Sequence, residues 1–238
     1  MKTIITIILF LVIAGLSLTV YRSGNSTINE VSVLRDVTDR QLSQPQAGEI
    51  IPLFALNSHL WNGGIFRFAN ITDVSYMPAQ EVCIGTANQW LSNRYDREKT
   101  IKGFTSQVTQ ILANTQHDSI GKMHSSVYMP IASELNRLSR SKSSRRILLV
   151  YSDLMENDVD YSFYNCKTLS QLKSNYALAS LKFNQMMPLQ NLVGIEVHLL
   201  YQPPTVESDG QYRIVSTFYQ RLLESKGATV TISANFMH

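Results

Sequence analysis

Arg146-Ile147-Leu148-Leu149-Val150-Tyr151, followed by Ser152-Asp153, is the stretch on which the reading of this chain turns. Five successive residues, Ile147 to Tyr151, are apolar or aromatic, with no polar alternation. A strand with that pattern must be covered on both faces, which is the environment of a central strand in a parallel sheet. An acid two residues beyond its end lies where open α/β sheets place their ligands, outside the carboxyl ends of the strands.

Working outward, strand-like and helix-like segments alternate from Ile28 onward, the pattern of an α/β fold with a largely parallel sheet. Strands are expected at 30–35, 65–71, 146–151, 194–201 and 228–232. A short run, 80–84, follows 65–71 so closely that it reads as the return arm of a hairpin, antiparallel at a sheet edge. Helices are expected at 48–61, 104–114, 127–138, 169–186 and 212–224, with Gly227 as a stop for the last. Residues 85–104, which hold Trp90 and Tyr95, are either an inserted loop or part of a helix. The expected architecture is a Rossmann-like three-layer α/β sandwich with one antiparallel edge strand.

The chain has 238 residues, 44% hydrophobic and 16% charged, which is enough for one sizeable core and too apolar for disorder. The formal net charge is +3. Without Lys2 and Arg22, 19 basic residues stand against 18 acidic ones, too even a balance to create a field for nucleic acid. One basic cluster, Arg137, Arg140, Lys142, Arg145 and Arg146, lacks interleaved aromatics and reads as a solvated helix end and loop.

Ile4 to Val20 is an almost unbroken apolar run flanked by Lys2 and Arg22. It reads as an uncleaved membrane anchor, because no small-x-small cleavage site closes it; a removed signal peptide is the alternative. The expected division is therefore 1–23 as anchor or signal and 24–238 as one exported domain. That domain would be membrane-tethered, or secreted or periplasmic if the helix is cleaved. Cys83 and Cys166 could pair in an oxidising compartment, or stay free.

Two acids stand at the rim of the expected sheet: Asp36 after the first strand and Asp153 after the most apolar one. Hydroxyls accompany them, namely Thr38, Ser152 and the pair Ser125-Ser126 at the opening of a helix. Two carboxylates brought together without a cation repel one another, and hard oxygens of this kind suit Mg²⁺. At these residues the chain resembles the von Willebrand factor A domains. Their metal-ion-dependent adhesion site reads Asp-x-Ser-x-Ser after the first strand, with a Thr from a later loop and an Asp, often as Ser-Asp, after the fourth strand. Here the first loop reads Asp36-Val37-Thr38-Asp39-Arg40, and the third element is Tyr151-Ser152-Asp153.

The resemblance covers roughly 28–236 and implies a protein-binding module. In it Asp36, Thr38, Ser125 or Ser126, and Asp153 would hold Mg²⁺, and a partner carboxylate would complete the shell. Arg40 departs from the pattern, since a guanidinium at the second Ser position cannot ligate a cation. A metal-free scaffold in a membrane-associated complex is thus a second expectation. A Mg²⁺-dependent phosphohydrolase using Asp36 is a third, weakened because Thr38 stands where an Asp-x-Asp nucleophile loop has its second acid. The residue pattern offers no catalytic set: there is no Gly-x-Ser-x-Gly elbow, phosphate-binding Gly-Lys loop, His-Glu-x-x-His helix or Cys-x-x-Cys pair. His117-Asp118 with His124 is the remaining metal alternative. His198, inside an expected strand, reads as packed.

Overall fold

A computed structural model describes residues 26–38, 42–72, 78–114, 125–158 and 161–236. The anchor expectation at 4–20 lies outside these residues, as do Asp39, Arg40, His117, Asp118 and His124. Among the described residues, no helix is long and apolar enough to cross a membrane.

The chain builds a mixed α/β fold around a mostly parallel sheet of six strands: β1 (Ile28–Asp36), β2 (Gly63–Ile71), β3 (Gln80–Ile84), β4 (Arg145–Tyr151), β7 (Ile195–Leu200) and β8 (Thr229–Ser233). Their order is β3-β2-β1-β4-β7-β8. Only β3 runs antiparallel, paired to β2 at the edge as the short connection predicts. A two-stranded ribbon, β5 (Asn157–Asp158) with β6 (Tyr161–Ser162), follows β4; nothing in its sequence pattern announces it.

The helices are α1 (Ala47–Ile50), α2 (Arg94–Asn114), α3 (Tyr128–Ser139), α4 (Cys166–Ser174), α5 (Tyr176–Met186) and α6 (Val206–Glu224). Two expectations are corrected. The helix expected at 48–61 is only α1 and a 3-10 turn, Ile51–Phe54, ended by Ala55 in the left-handed region. Pro52 supplies no amide hydrogen to extend it. The helix expected at 169–186 is two helices, broken where Asn175 leaves helical backbone and its side chain accepts from Leu178 N. Conversely, α2 begins ten residues before the expected 104, so most of the doubtful 85–104 segment is helical. Gly227 does stop the chain after α6: its φ is 96°, and an added Cβ would lie 2.6 Å from Val193 Cγ2.

Period-two alternation in β4 explains its unbroken apolar sequence. Ile147, Leu149 and Tyr151 join a core with Val31, Val33, Phe66, Phe54 and Phe104 on one face. Leu148 and Val150 join the opposite core with Ile131, Leu135, Phe183 and Tyr219. Helices therefore cover both faces. In the basic cluster Arg140, Lys142 and Arg145 are exposed, as expected of a solvated helix end and loop, while Arg137 and Arg146 are partly buried. Arg137 donates to Glu30 (2.6 Å), Ser32 and Glu134, and Arg145 makes a two-pronged bridge to Glu196. Both cysteines are free and exposed. His198 packs edge-on against Phe236.

Candidate functional site at the carboxyl rim of the sheet

Parallel register brings the ends of β1 and β4 side by side, since Arg35 pairs with Tyr151. The next residues, Asp36 and Ser152, thereby meet. Asp36 is 1% exposed. Its Oδ2 accepts from Ser152 Oγ at 2.7 Å, and its Oδ1 accepts from Thr38 N at 2.9 Å and Thr38 Oγ1 at 2.6 Å. The bond from Thr38 N to Oδ1 closes an aspartate turn, which Asp side chains form readily after strands. The link to Ser152 is a cross-strand contact that locks the two loops together. A buried carboxyl group is costly without such donors.

Ser152 Oγ also accepts from Leu154 N at 2.9 Å. That bond holds the loop where Leu154, fully buried, adopts φ 62°. A non-glycine residue in this region stores strain of about 1–2 kcal/mol, and packing must offset it. Asp153 closes its own turn through Met155 N, 2.9 Å. It also lies near Tyr212: burial first, and the Asp153 charge second, raise that hydroxyl above its ordinary range.

The third loop precedes α3. Ser125 pairs with Asn157 through both backbone groups, 3.2 and 2.9 Å. Its Oγ is buried and has no hydrogen-bond partner among the described residues. Ser126 is partly exposed and its amide donates to Thr72 O. Glu156 is fully buried, and its Oε2 accepts from Val127 N at 3.0 Å and Tyr128 N at 2.8 Å. A carboxylate there satisfies two open amides at the α3 N-terminus and meets the favourable end of the helix dipole. Glu156 was not among the expected rim residues. Its partners are 28 and 29 positions away, so no local motif could reveal it.

The expected rim residues thus fall into a linked set. Asp36, Thr38 and Ser152 form one hydrogen-bonded unit; Asp153 sits one residue beyond it. Ser125 is stapled to the segment after β4 through Asn157, and Glu156 of that segment holds Val127 N and Tyr128 N at the helix start. Among the described residues no group of three or more His, Cys, Asp and Glu could hold a metal ion. A cation at this rim would depend on two carboxylates and the hydroxyls of Thr38, Ser152 and Ser125. That donor set fits Mg²⁺, which accepts few carboxylates and retains waters, and the unpaired Ser125 Oγ is a spare hard oxygen. Asn70, part of an Asn-x-Thr triplet, is inside β2 with its Oδ1 buried, unlike a surface acceptor for glycan.

No family model matches this chain, and no curated protein matches it. Several solved structures are similar at low identity, among them a pilin, a hypothetical protein and a pilus adhesin. A mutant of the PilB minor pilin from Streptococcus sanguinis is 8% identical, with TM-score 0.48 over 89% of this chain and 58% of the pilin. The conserved hypothetical protein BatB from Bacteroides thetaiotaomicron is 13% identical, with TM-score 0.35 over 87% of this chain and 91% of BatB. The pilus adhesin SpaC from Lactobacillus rhamnosus GG is 11% identical, with TM-score 0.39 over 89% of this chain and 29% of the adhesin. The chain spans less than two thirds of the length of the pilin and of the adhesin. Similarity at this level establishes neither a shared family nor a shared activity.

Proposed function

We propose that this protein is a von Willebrand factor A-like binding module whose rim engages another protein through Mg²⁺. Asp36, Thr38, Ser125 and Asp153 would hold the ion. When bound, the ion would supply an open coordination position to a carboxylate of the partner. The observation that carries the reading is the locked rim: Asp36 tied to Ser152 across adjacent parallel strands, with the buried Ser125 Oγ lacking a partner. The pre-set loops lower the ordering cost of binding.

One observation favours a metal-free scaffold instead. Both oxygens of Asp36 already accept hydrogen bonds from Thr38 and Ser152. The phosphohydrolase reading has least support, because an attacking carboxylate so buried and so engaged has poor access to phosphorus.

Thermal unfolding in EDTA, Mg²⁺ and Mn²⁺ separates the first two readings. A ligand at a hundredfold excess over its dissociation constant adds about 2.7 kcal/mol. At roughly 2–4 °C per kcal/mol for a domain this size, the midpoint should rise by several degrees. The rise should shrink in Ser125→Ala and Thr38→Ala. Identical midpoints in all three solutions would leave the metal-free scaffold.

A further inference from the structure

The end of the sheet opposite the rim carries an unusual surface. β1 and β2 start together there, Ile28 beside Gly63, and the antiparallel β3 ends there, Ile84 beside Gly64. The turn that follows β3 and the first turn of α2 expose three large side chains within six residues: Trp90 at 68%, Leu91 at 86% and Tyr95 at 74%. Single exposed apolar residues are ordinary, but such a group marks an interaction surface.

The turn is held by hydrogen bonds. Asn88 Oδ1 accepts from Trp90 N at 2.8 Å and Asn93 Oδ1 from Tyr95 N at 2.8 Å. The buried Arg97 ties it to the sheet end, donating to Leu60 O at 2.8 Å, Gly85 O at 3.0 Å and Asn62 O. Asn62 in turn accepts through Oδ1 from Thr27 N, 3.1 Å, where the chain enters β1. One residue pair therefore links the exposed turn to the point from which the N-terminal segment departs.

That segment names the occupant. The apolar run of residues 4–20 ends at Val20, six positions before Ser26. At most about 3.6 Å per residue, the intervening chain reaches only about 20 Å. Trp and Tyr are the side chains enriched at the membrane–water boundary, where the ring is buried and the polar tip stays wet.

We propose that Trp90, Leu91 and Tyr95 dock on the surface of the lipid bilayer that residues 4–20 enter. The proposal rests on reading that run as a membrane segment and is independent of any cation at the rim. It fixes the orientation of the domain. β1 has nine residues, at about 3.3 Å each, so the Asp36 rim stands roughly 25–30 Å further from the lipid and faces away from it.

The test uses the full chain reconstituted into vesicles of phosphatidylcholine and phosphatidylglycerol. Trp61→Phe leaves Trp90 as the lone tryptophan. Flotation reports anchoring; quenching of Trp90 by brominated phosphatidylcholine reports docking. The expected result is flotation with loss of most Trp90 emission. Emission should recover in a Leu91→Asp, Tyr95→Asp variant, whose altered sites are exposed and carry no core packing. Flotation with Trp90 unquenched overturns the docking and leaves the anchor standing. The same holds if Trp90 is shielded from aqueous iodide but not reached by bromine, which would indicate a protein cover. Absence of flotation overturns the anchor and the docking together.

Discussion

The Ser152 hydroxyl donates to Asp36 Oδ2 at 2.7 Å, joining residues 116 positions apart, while accepting from Leu154 N. One side chain thus holds the β1 and β4 loops in register. Ser152→Ala leaves a buried acceptor and a buried amide short of a partner. It is expected to lower stability by about 1–3 kcal/mol, measured by urea unfolding. A loss near zero would mean that the two loops are held by packing alone.

Glu156 gives a graded pair of variants. Glu156→Gln keeps an oxygen for Val127 N and Tyr128 N but removes the charge facing the α3 dipole, a loss of about 0.5–1 kcal/mol. Glu156→Ala removes the acceptor as well, and about 1–3 kcal/mol is expected. Equal losses in both, read from thermal midpoints, would show that charge and not acceptance matters.

Two buried tyrosines should respond differently to losing their hydroxyls. Tyr128 OH donates to Met187 O at 2.6 Å, so Tyr128→Phe should cost about 1 kcal/mol. Tyr219 OH is buried without a partner among the described residues. Tyr219→Phe should be neutral or stabilising by up to roughly 1 kcal/mol, because the desolvated hydroxyl is removed. Chemical denaturation of both variants tests the contrast; a costly Tyr219→Phe would reveal an ordered water.

Acid should destabilise the protein through Glu30. Burial pushes its carboxyl upward, but hydrogen bonds from Ser141, Arg137 and Ser143, with the Arg137 charge, outweigh that and hold it below its ordinary value of 4.5. Glu196, hydrogen-bonded by Arg145, is depressed as well. A depressed carboxylate contributes stability that is complete above the unfolded-state value and is lost as pH falls through the folded-state value. Stability should therefore hold down to about pH 4.5 and decline below it. Glu30→Gln should flatten that decline in a pH series of unfolding curves, while lowering stability at neutral pH by roughly 2–4 kcal/mol because Arg137 loses its most buried partner. An unchanged acid limb would place the sensitivity elsewhere.

Much of this architecture was legible in the sequence, because hydrophobic period is a local property. The continuous apolar run at 147–151 is what a strand covered on both faces requires, and the tight link from 71 to 80 forces an antiparallel edge. The same local logic placed Asp36, Thr38 and Asp153 at strand ends. It failed where local signals were weak or conflicted. In 48–61 Pro52 already confines where a helix can start, but nothing local shows that Ala55 turns left-handed and ends it at once. In 169–186 helix formers on both sides of Asn175 hid the break there.

What only the tertiary structure decided is the pairing of distant groups. The sequence by itself determined the α/β order, the edge strand and which strand ends carry acids, since alternation, turn chemistry and chain length act over a few residues. The partners of Asp36, the role of Glu156 at the α3 N-terminus and the tie of Arg97 to Gly85 and to Asn62, which holds Thr27 before β1, follow from how distant segments meet in the fold. Hydrogen bonds and burial depend on which segments meet in space, and no spacing within a single segment encodes that.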